Sequence, residues 1–202
     1  MIKHINLHGT DIYIYPLPDD VDPLLAQCDE YVANEINNVA SLKRRKEIVM
    51  SHVMIKRHIG ENAKMFHDAN GAPVVEGYDC NVSISHSVTE IVLAINQYHP
   101  IGVDLENWRE KLKKVASRFL SEKELRQYDT PQKLLQAWTA KEALYKIAHS
   151  PGLSFVDDII LPELGDINMS AKVNMSCGLR TFSVYFIETD AMRCLALAHP
   201  CD

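Results

Sequence analysis

Helical and β-rich stretches follow one another in this chain without the regular strand–helix–strand order of a parallel sheet, and that irregular order most narrows the folds open to it. From Leu112 to about Ala148 the pattern is helical, broken near Asp129-Thr130-Pro131. A second long helix is predicted from about Ser41 to Ile59, with Ile48, Val49, Val53, Ile55 and Ile59 as apolar positions and Gly60 as its stop. A shorter helix is predicted over Asp22 to Glu30. Strands are predicted at Asp11 to Leu17, Asn81 to Ser85, Glu90 to Asn96 and Ile101 to Glu106. Others fall near Met169 to Met175, Arg180 to Ile187 and Met192 to Ala198, with a hairpin from Lys64 to His67 through Asn70-Gly71 to Pro73 to Val75. The expected class is α+β.

A chain of 202 residues forms one large domain or two small ones, and with 47% hydrophobic residues it has material for a packed interior. Its formal charge of −6 argues against general nucleic-acid binding, which leaves a basic footprint. Two basic islands stand out against that charge, Lys43-Arg44-Arg45-Lys46 and the stretch from Lys111 to Arg118, and they suggest specific anionic partners. Cys28, Cys80, Cys177, Cys194 and Cys201 show no CxxC spacing and follow no secretory signal, so free thiols in a reducing cytoplasm are expected. No apolar run approaches the length that spans a bilayer, so no membrane insertion is expected. Leu93-Ala94 precedes His99-Pro100, and Leu197-Ala198 runs into His199-Pro200; this short echo is compatible with two similar halves and easily explained by chance.

Three strings carry chemistry. In Ile101-Gly102-Val103-Asp104-Leu105-Glu106, strand alternation puts Asp104 and Glu106 on one face and Val103 and Leu105 on the other, toward a core. Two carboxylates side by side repel unless a cation lies between them or one keeps a proton, and hard oxygen donors of this kind suit Mg²⁺. A solvated acidic strand end is the competing reading. In Trp138-Thr139-Ala140-Lys141-Glu142-Ala143-Leu144-Tyr145-Lys146, Ala140, Leu144, Ile147 and Ala148 share one helical side and Glu142 and Lys146 the opposite one. A plain surface Glu–Lys pair competes there. In Ser83-Ile84-Ser85-His86-Ser87, hydroxyls and an imidazole at a strand end can donate to phosphate oxygens; a Ser–His nucleophilic pair and a polar turn are the alternatives.

Taken together, Ser85-His86-Ser87, Gly102-Val103-Asp104-Leu105-Glu106 and Trp138 to Lys146 resemble the SHS, G[IV]DxE and WxxKExxxK strings of the 4′-phosphopantetheinyl transferase superfamily, in the group typified by the surfactin-synthetase-activating enzyme. Order and spacing agree over roughly residues 40 to 160, and Phe119-Leu120-Ser121-Glu122-Lys123-Glu124 is similar to the segment between the acidic motifs. The chain departs from the pattern at Gly71-Ala72-Pro73, where the family commonly has Gly-Lys-Pro, and at His52, where the early helix often carries an arginine. Arg44, Arg45 or Lys56 are the candidates to compensate.

The resemblance implies transfer of the phosphopantetheine arm of coenzyme A to a serine of an apo acyl or peptidyl carrier protein, giving holo carrier and adenosine 3′,5′-bisphosphate. It implies a Mg²⁺ ion held by Asp104, Glu106 and Glu142, and a serine proton taken by Glu142, or by Glu106 through a water. Lys146 is then a point charge on the pyrophosphate, and Arg44, Arg45, Ser85, His86 and Asp104 join it in binding coenzyme A. It further implies two similar α/β halves, residues 1–98 and 99–202, related by a pseudo-two-fold with the site in the cleft between them, in a single chain holding one complete site. Carriers serve fatty-acid, polyketide or peptide synthesis and are acidic, so the helix with Lys111, Lys113, Lys114 and Arg118 is a candidate docking face. A Mg²⁺-dependent pyrophosphate or nucleotide hydrolase and a non-catalytic coenzyme A or carrier binder are the rival functions.

Overall fold

The computed structural model describes residues 2–163, 168–190 and 192–201. It has α+β content, in two compact units, Met1–Gln97 and Tyr98–Asp202.

In the first unit, β1 (Lys3–Leu7) and β2 (Thr10–Pro16) pair antiparallel through a turn at His8 and Gly9, both at positive φ. Two short helices follow, α1 (Asp22–Leu25) and α2 (Glu30–Asn37), then the longer α3 (Leu42–His58). The single helix expected over Asp22 to Glu30 is thus two, because the chain turns after Leu25 and restarts with Asp29 as the extended residue before α2. Ser41 caps α3 by accepting from the Arg44 amide. A hairpin of β3 (Lys64–His67) and β4 (Pro73–Glu76) precedes β5 (Asn81–His86) and β6 (Glu90–Asn96). The four-stranded sheet runs β1-β2-β6-β5. Every residue of α3 from Glu47 to Ile55 is buried, the polar Glu47, Ser51 and His52 included. Met50, Met54 and Ile55 pack with Leu93 and Ile95 of the sheet, while Ile48, Val49 and Val53 pack with Val32 and Ile36 of α2.

In the second unit, β7 (Gly102–Asn107) leads to α4 (Lys111–Val115), a 3-10 turn at Ala116–Arg118, α5 (Glu122–Gln127) and α6 (Pro131–Ala148). The expected break before Pro131 is present, with Thr130 capping α6. A further break lies at Ser121, whose side chain and that of Glu124 form a reciprocal capping box. Four strands follow, β8 (Ile159–Ile160), β9 (Asn168–Met175), β10 (Gly178–Thr189) and β11 (Arg193–Pro200). The sheet order is β7-β11-β10-β9-β8. α6 lies tightly on β7: a Cβ on Gly102 would collide with the Ala143 carbonyl oxygen and the Ile147 amide. Gly102 and the small Ala140 and Ala143 therefore fix how closely helix and strand approach.

Within each unit, one connection repeats. The strand before the long helix, β2 or β7, pairs antiparallel with the last strand, β6 or β11, which in turn pairs with the strand before it, β5 or β10. The Leu-Ala echo falls on those two last strands, with Leu93 opposite Tyr13 and Leu197 opposite Val103.

Candidate active site

Strand β7 and helix α6 place the acidic residues. Val103 and Leu105 are fully buried on one face of β7, and Asp104 and Glu106 project from the other. Asp104 is only 4% exposed, which rules out a solvated strand end for it. A buried carboxylate requires a partner, and Lys146 provides one: its Nζ donates to Asp104 Oδ1 at 2.8 Å and to the Val103 carbonyl at 2.9 Å. Lys146 therefore reaches from α6 to β7, which is not the geometry of a plain helix-surface pair.

Glu106 accepts from Trp138 Nε1 at 2.9 Å and from the Arg109 guanidinium at 2.9 Å. Trp138 is set by Phe119, edge-on, and by Phe155, stacked. Glu142 lies one turn before Lys146, and burial, then the charge of Asp104, push its carboxyl up to about 7; Glu106 adds to the effect and Lys146 opposes it. Burial and Asp104 also raise Glu106. Asp104, Glu106, Glu142 and Lys146 thus act on one another electrostatically within one unit.

As placed, no three His, Cys, Asp or Glu side chains among the described residues already form a group that could hold a metal ion. The donor chemistry nevertheless fits a hard cation. Two of the three carboxyls have raised pKa values, first because burial disfavours their charge and then because Asp104 lies near, and a cation there would relieve both. Mg²⁺ takes one or two carboxylates and completes its shell with water and phosphate oxygens, so it needs no closed protein cage.

Lys141, inside the same sequence string, has a different task. It is fully buried, and its Nζ donates to Glu124 Oε2 at 3.0 Å, the Phe155 carbonyl at 2.6 Å and the Ile159 carbonyl at 2.7 Å. The other oxygen of Glu124 accepts from the Leu161 amide at 2.9 Å. This pair ties α6 to α5 and to the segment entering β8, and it explains why the string carries an inward-facing lysine.

In the first unit, His86 ends β5, and its Nδ1 lies 3.1 Å from Oε1 of Glu47, a buried acid on α3 that the motif reading missed. The available signal was its place four residues after Lys43 and three after Arg44. Ser85 is buried, and strand alternation points it away from His86, so the structure does not bring these two together. Arg44 contacts Glu47 at 3.3 Å, whereas Arg45 Nε is spent on the Val39 carbonyl at 2.6 Å. Lys56 pairs with Asp29 at 3.0 Å. His52, in place of a frequent arginine, is no substitute cation: it is buried against Tyr31, and desolvation lowers its pKa to about 4. Ala72 donates its amide to Asp68 Oδ1 in the hairpin loop and brings no charge.

Residues 100–194 match the family model of the 4′-phosphopantetheinyl transferase superfamily. The matched stretch contains every residue of the acidic site, from Asp104 to Lys146. The match supports a transferase acting on phosphopantetheine and carrier proteins, with coenzyme A as donor. Comparison with curated proteins finds no match. Among the described residues, no helix is long and apolar enough to cross a membrane.

Proposed function

We propose that the chain is a magnesium-dependent transferase of the surfactin-synthetase-activating type that moves 4′-phosphopantetheine from coenzyme A to an apo acyl or peptidyl carrier protein. The observation that carries this is buried Asp104 bonded to Lys146 with the raised carboxyls of Glu106 and Glu142 beside it, inside the stretch that matches the superfamily. Two similar halves belong to the same reading, and the connection repeated in each unit supports their likeness. The five thiols, all free, suit a cytoplasmic monomer acting in carrier-dependent synthesis such as that of fatty acids.

Asp104, Glu106 and Glu142 would hold the Mg²⁺ ion, which, when bound, neutralises charge building on the pyrophosphate. The carrier serine oxygen attacks the β-phosphorus, the bond from that phosphorus to the bridging oxygen breaks, and adenosine 3′,5′-bisphosphate leaves. Glu142, or Glu106 through a water, would take the serine proton. Lys146 orients Asp104 and faces the leaving charge. For the carrier we propose the exposed basic face of Lys111, Lys113, Lys114 and Arg118. Beside it a cavity of about 420 Å³ is floored by Leu112, Val115, Phe119, Trp138 and Phe155 and rimmed by Arg109, Lys111 and Arg118. An apolar floor with a basic rim complements an acidic helix carrying apolar side chains.

The test is a mass measurement. With coenzyme A and Mg²⁺, an apo carrier should gain about 340 Da, the mass of the transferred arm under this phosphoryl-transfer chemistry. Asp104→Ala or Glu142→Ala should abolish the gain while the chain stays folded. Absence of an adduct on carriers of all three synthetic classes defeats the transferase reading, and coenzyme A cleavage without a carrier points instead to a hydrolase.

A further inference from the structure

Both oxygens of Glu106 are held by side chains that also line the cavity beside the basic face. Trp138 Nε1 donates to Oε1 and Arg109 Nη2 to Oε2, each at 2.9 Å. The cavity wall includes Trp138 and Arg109, with Phe119 and Phe155 beside the indole. A carboxylate of the acidic site and a surface suited to a partner thus share two side chains, all within the second unit.

The two donors are anchored differently. The Trp138 ring lies edge-on to Phe119, with centroids 4.9 Å apart, and stacks on Phe155 at 5.8 Å. It cannot leave Glu106 without giving up those contacts. The Arg109 side chain is 55% exposed, and it meets Glu106 from three residues further along the chain. A half-exposed ion pair of this kind holds weakly, because water competes for both charges and a long side chain must be kept in one place. Trp138 is the fixed donor and Arg109 the releasable one.

Charge sets the direction of an exchange. A guanidinium on Glu106 satisfies the negative charge that a metal cation would use, and it repels a second cation at the same carboxylate. An acidic segment in the cavity offers Arg109 another carboxylate, which a guanidinium can grip through two parallel hydrogen bonds. When Arg109 turns to it, Glu106 Oε2 becomes available to a cation while Trp138 keeps the carboxylate in place. We propose that Arg109 is a positioning residue shared between Glu106 and an acidic occupant of the cavity, so that partner docking and divalent-cation binding at Glu106 strengthen each other. The occupant is the apo carrier of the transferase reading, on which this inference rests, but the coupling is measured without any transfer step.

The chain has two tryptophans, Trp108 and Trp138, so two indole signals are expected in nitrogen NMR. With the nitrogen label confined to this chain, the Trp138 N–H that bonds to Glu106 reports Mg²⁺ there and ignores Mg²⁺ on an unlabelled carrier. Trp138→Phe identifies its signal. Mg²⁺ is titrated with and without a saturating apo carrier protein, coenzyme A being left out. In the wild-type chain the carrier should lower the Mg²⁺ midpoint about fivefold or more, and Mg²⁺ should tighten the carrier by the same factor, as linkage requires. Arg109→Gln should bind Mg²⁺ more tightly without carrier, and the carrier should then shift the midpoint by less than about twofold. Arg109→Lys, which keeps the charge, should retain part of the shift. An ordinary surface ion pair would leave the two wild-type titrations identical. A Trp138 signal that ignores Mg²⁺, a wild-type midpoint that carriers of all three synthetic classes leave in place, or full coupling in Arg109→Gln overturns the proposal. Coupling in a chain that adds no mass to the carrier would remove the transferase reading and leave the Arg109 exchange standing; an adduct without coupling would do the reverse.

Discussion

A glutamate whose carboxyl is held near 7 by burial and neighbouring acids makes stability depend on pH. Because the folded value lies above the ordinary 4.5, the folded chain binds this proton more tightly than the unfolded chain. Its stabilising contribution is complete below pH 4.5 and is lost as pH rises through about 7. Measured by urea unfolding, the wild-type chain should lose on the order of 3 kcal/mol relative to Glu142→Gln between pH 4.5 and 8, while buried His52, lowered to about 4, offsets the fall in the absolute curve. Superimposable profiles for the two chains would contradict the assignment of Glu142. Mg²⁺, which requires the ionised carboxylate, should correspondingly raise Tm more at pH 8 than at pH 6. Lys141 makes a different prediction. Removing it strands Glu124 in the interior, so Lys141→Ala should cost about 3–5 kcal/mol in chemical denaturation. Lys141→Met with Glu124→Gln should recover part of that loss, because no uncompensated charge then stays buried. Helical spacing could not supply Glu124 or the carbonyls of Phe155 and Ile159 as the partners of Lys141.

Among the elements, the closest fit is α6 on β7. Alanine at Gly102 has to push the helix backbone off the strand, since the obstructing atoms are the Ala143 carbonyl and the Ile147 amide and not a flexible side chain. Gly102→Ala should destabilise the chain by about 1–3 kcal/mol in thermal or chemical unfolding, and a neutral substitution would show that the approach is looser than drawn. The long elements were legible in the sequence from their end signals: α3 and α6 begin at the residues that Ser41 and Thr130 cap. Short edge elements were not. β1 exposes most of its residues and β8 has only two, so neither shows the alternation that burial imposes on a strand. The pairing that makes them strands comes from β2 and β9.

For the molecule as a whole, an acidic chain with an exposed basic face at Lys111 to Arg118 should meet an acidic carrier through charge. Lys111→Glu with Arg118→Glu should raise KM for the carrier about tenfold, leave kcat and KM for coenzyme A nearly unchanged, and weaken the dependence on salt, as rim charges do. An unchanged KM for the carrier would move docking elsewhere. By itself the sequence determined which residue types stand on which face of β7 and α6, and through its strings it showed a resemblance to the superfamily whose model matches residues 100–194. Both follow from near-neighbour periodicity, which any strand or helix imposes wherever it lies. Only the tertiary structure decided that Asp104 is buried against Lys146, that Lys141 is an interior strut, and that His86 rests on Glu47. Each of those pairs joins separate elements, and a partner distant along the chain is set by how the elements pack, a quantity that local spacing does not contain.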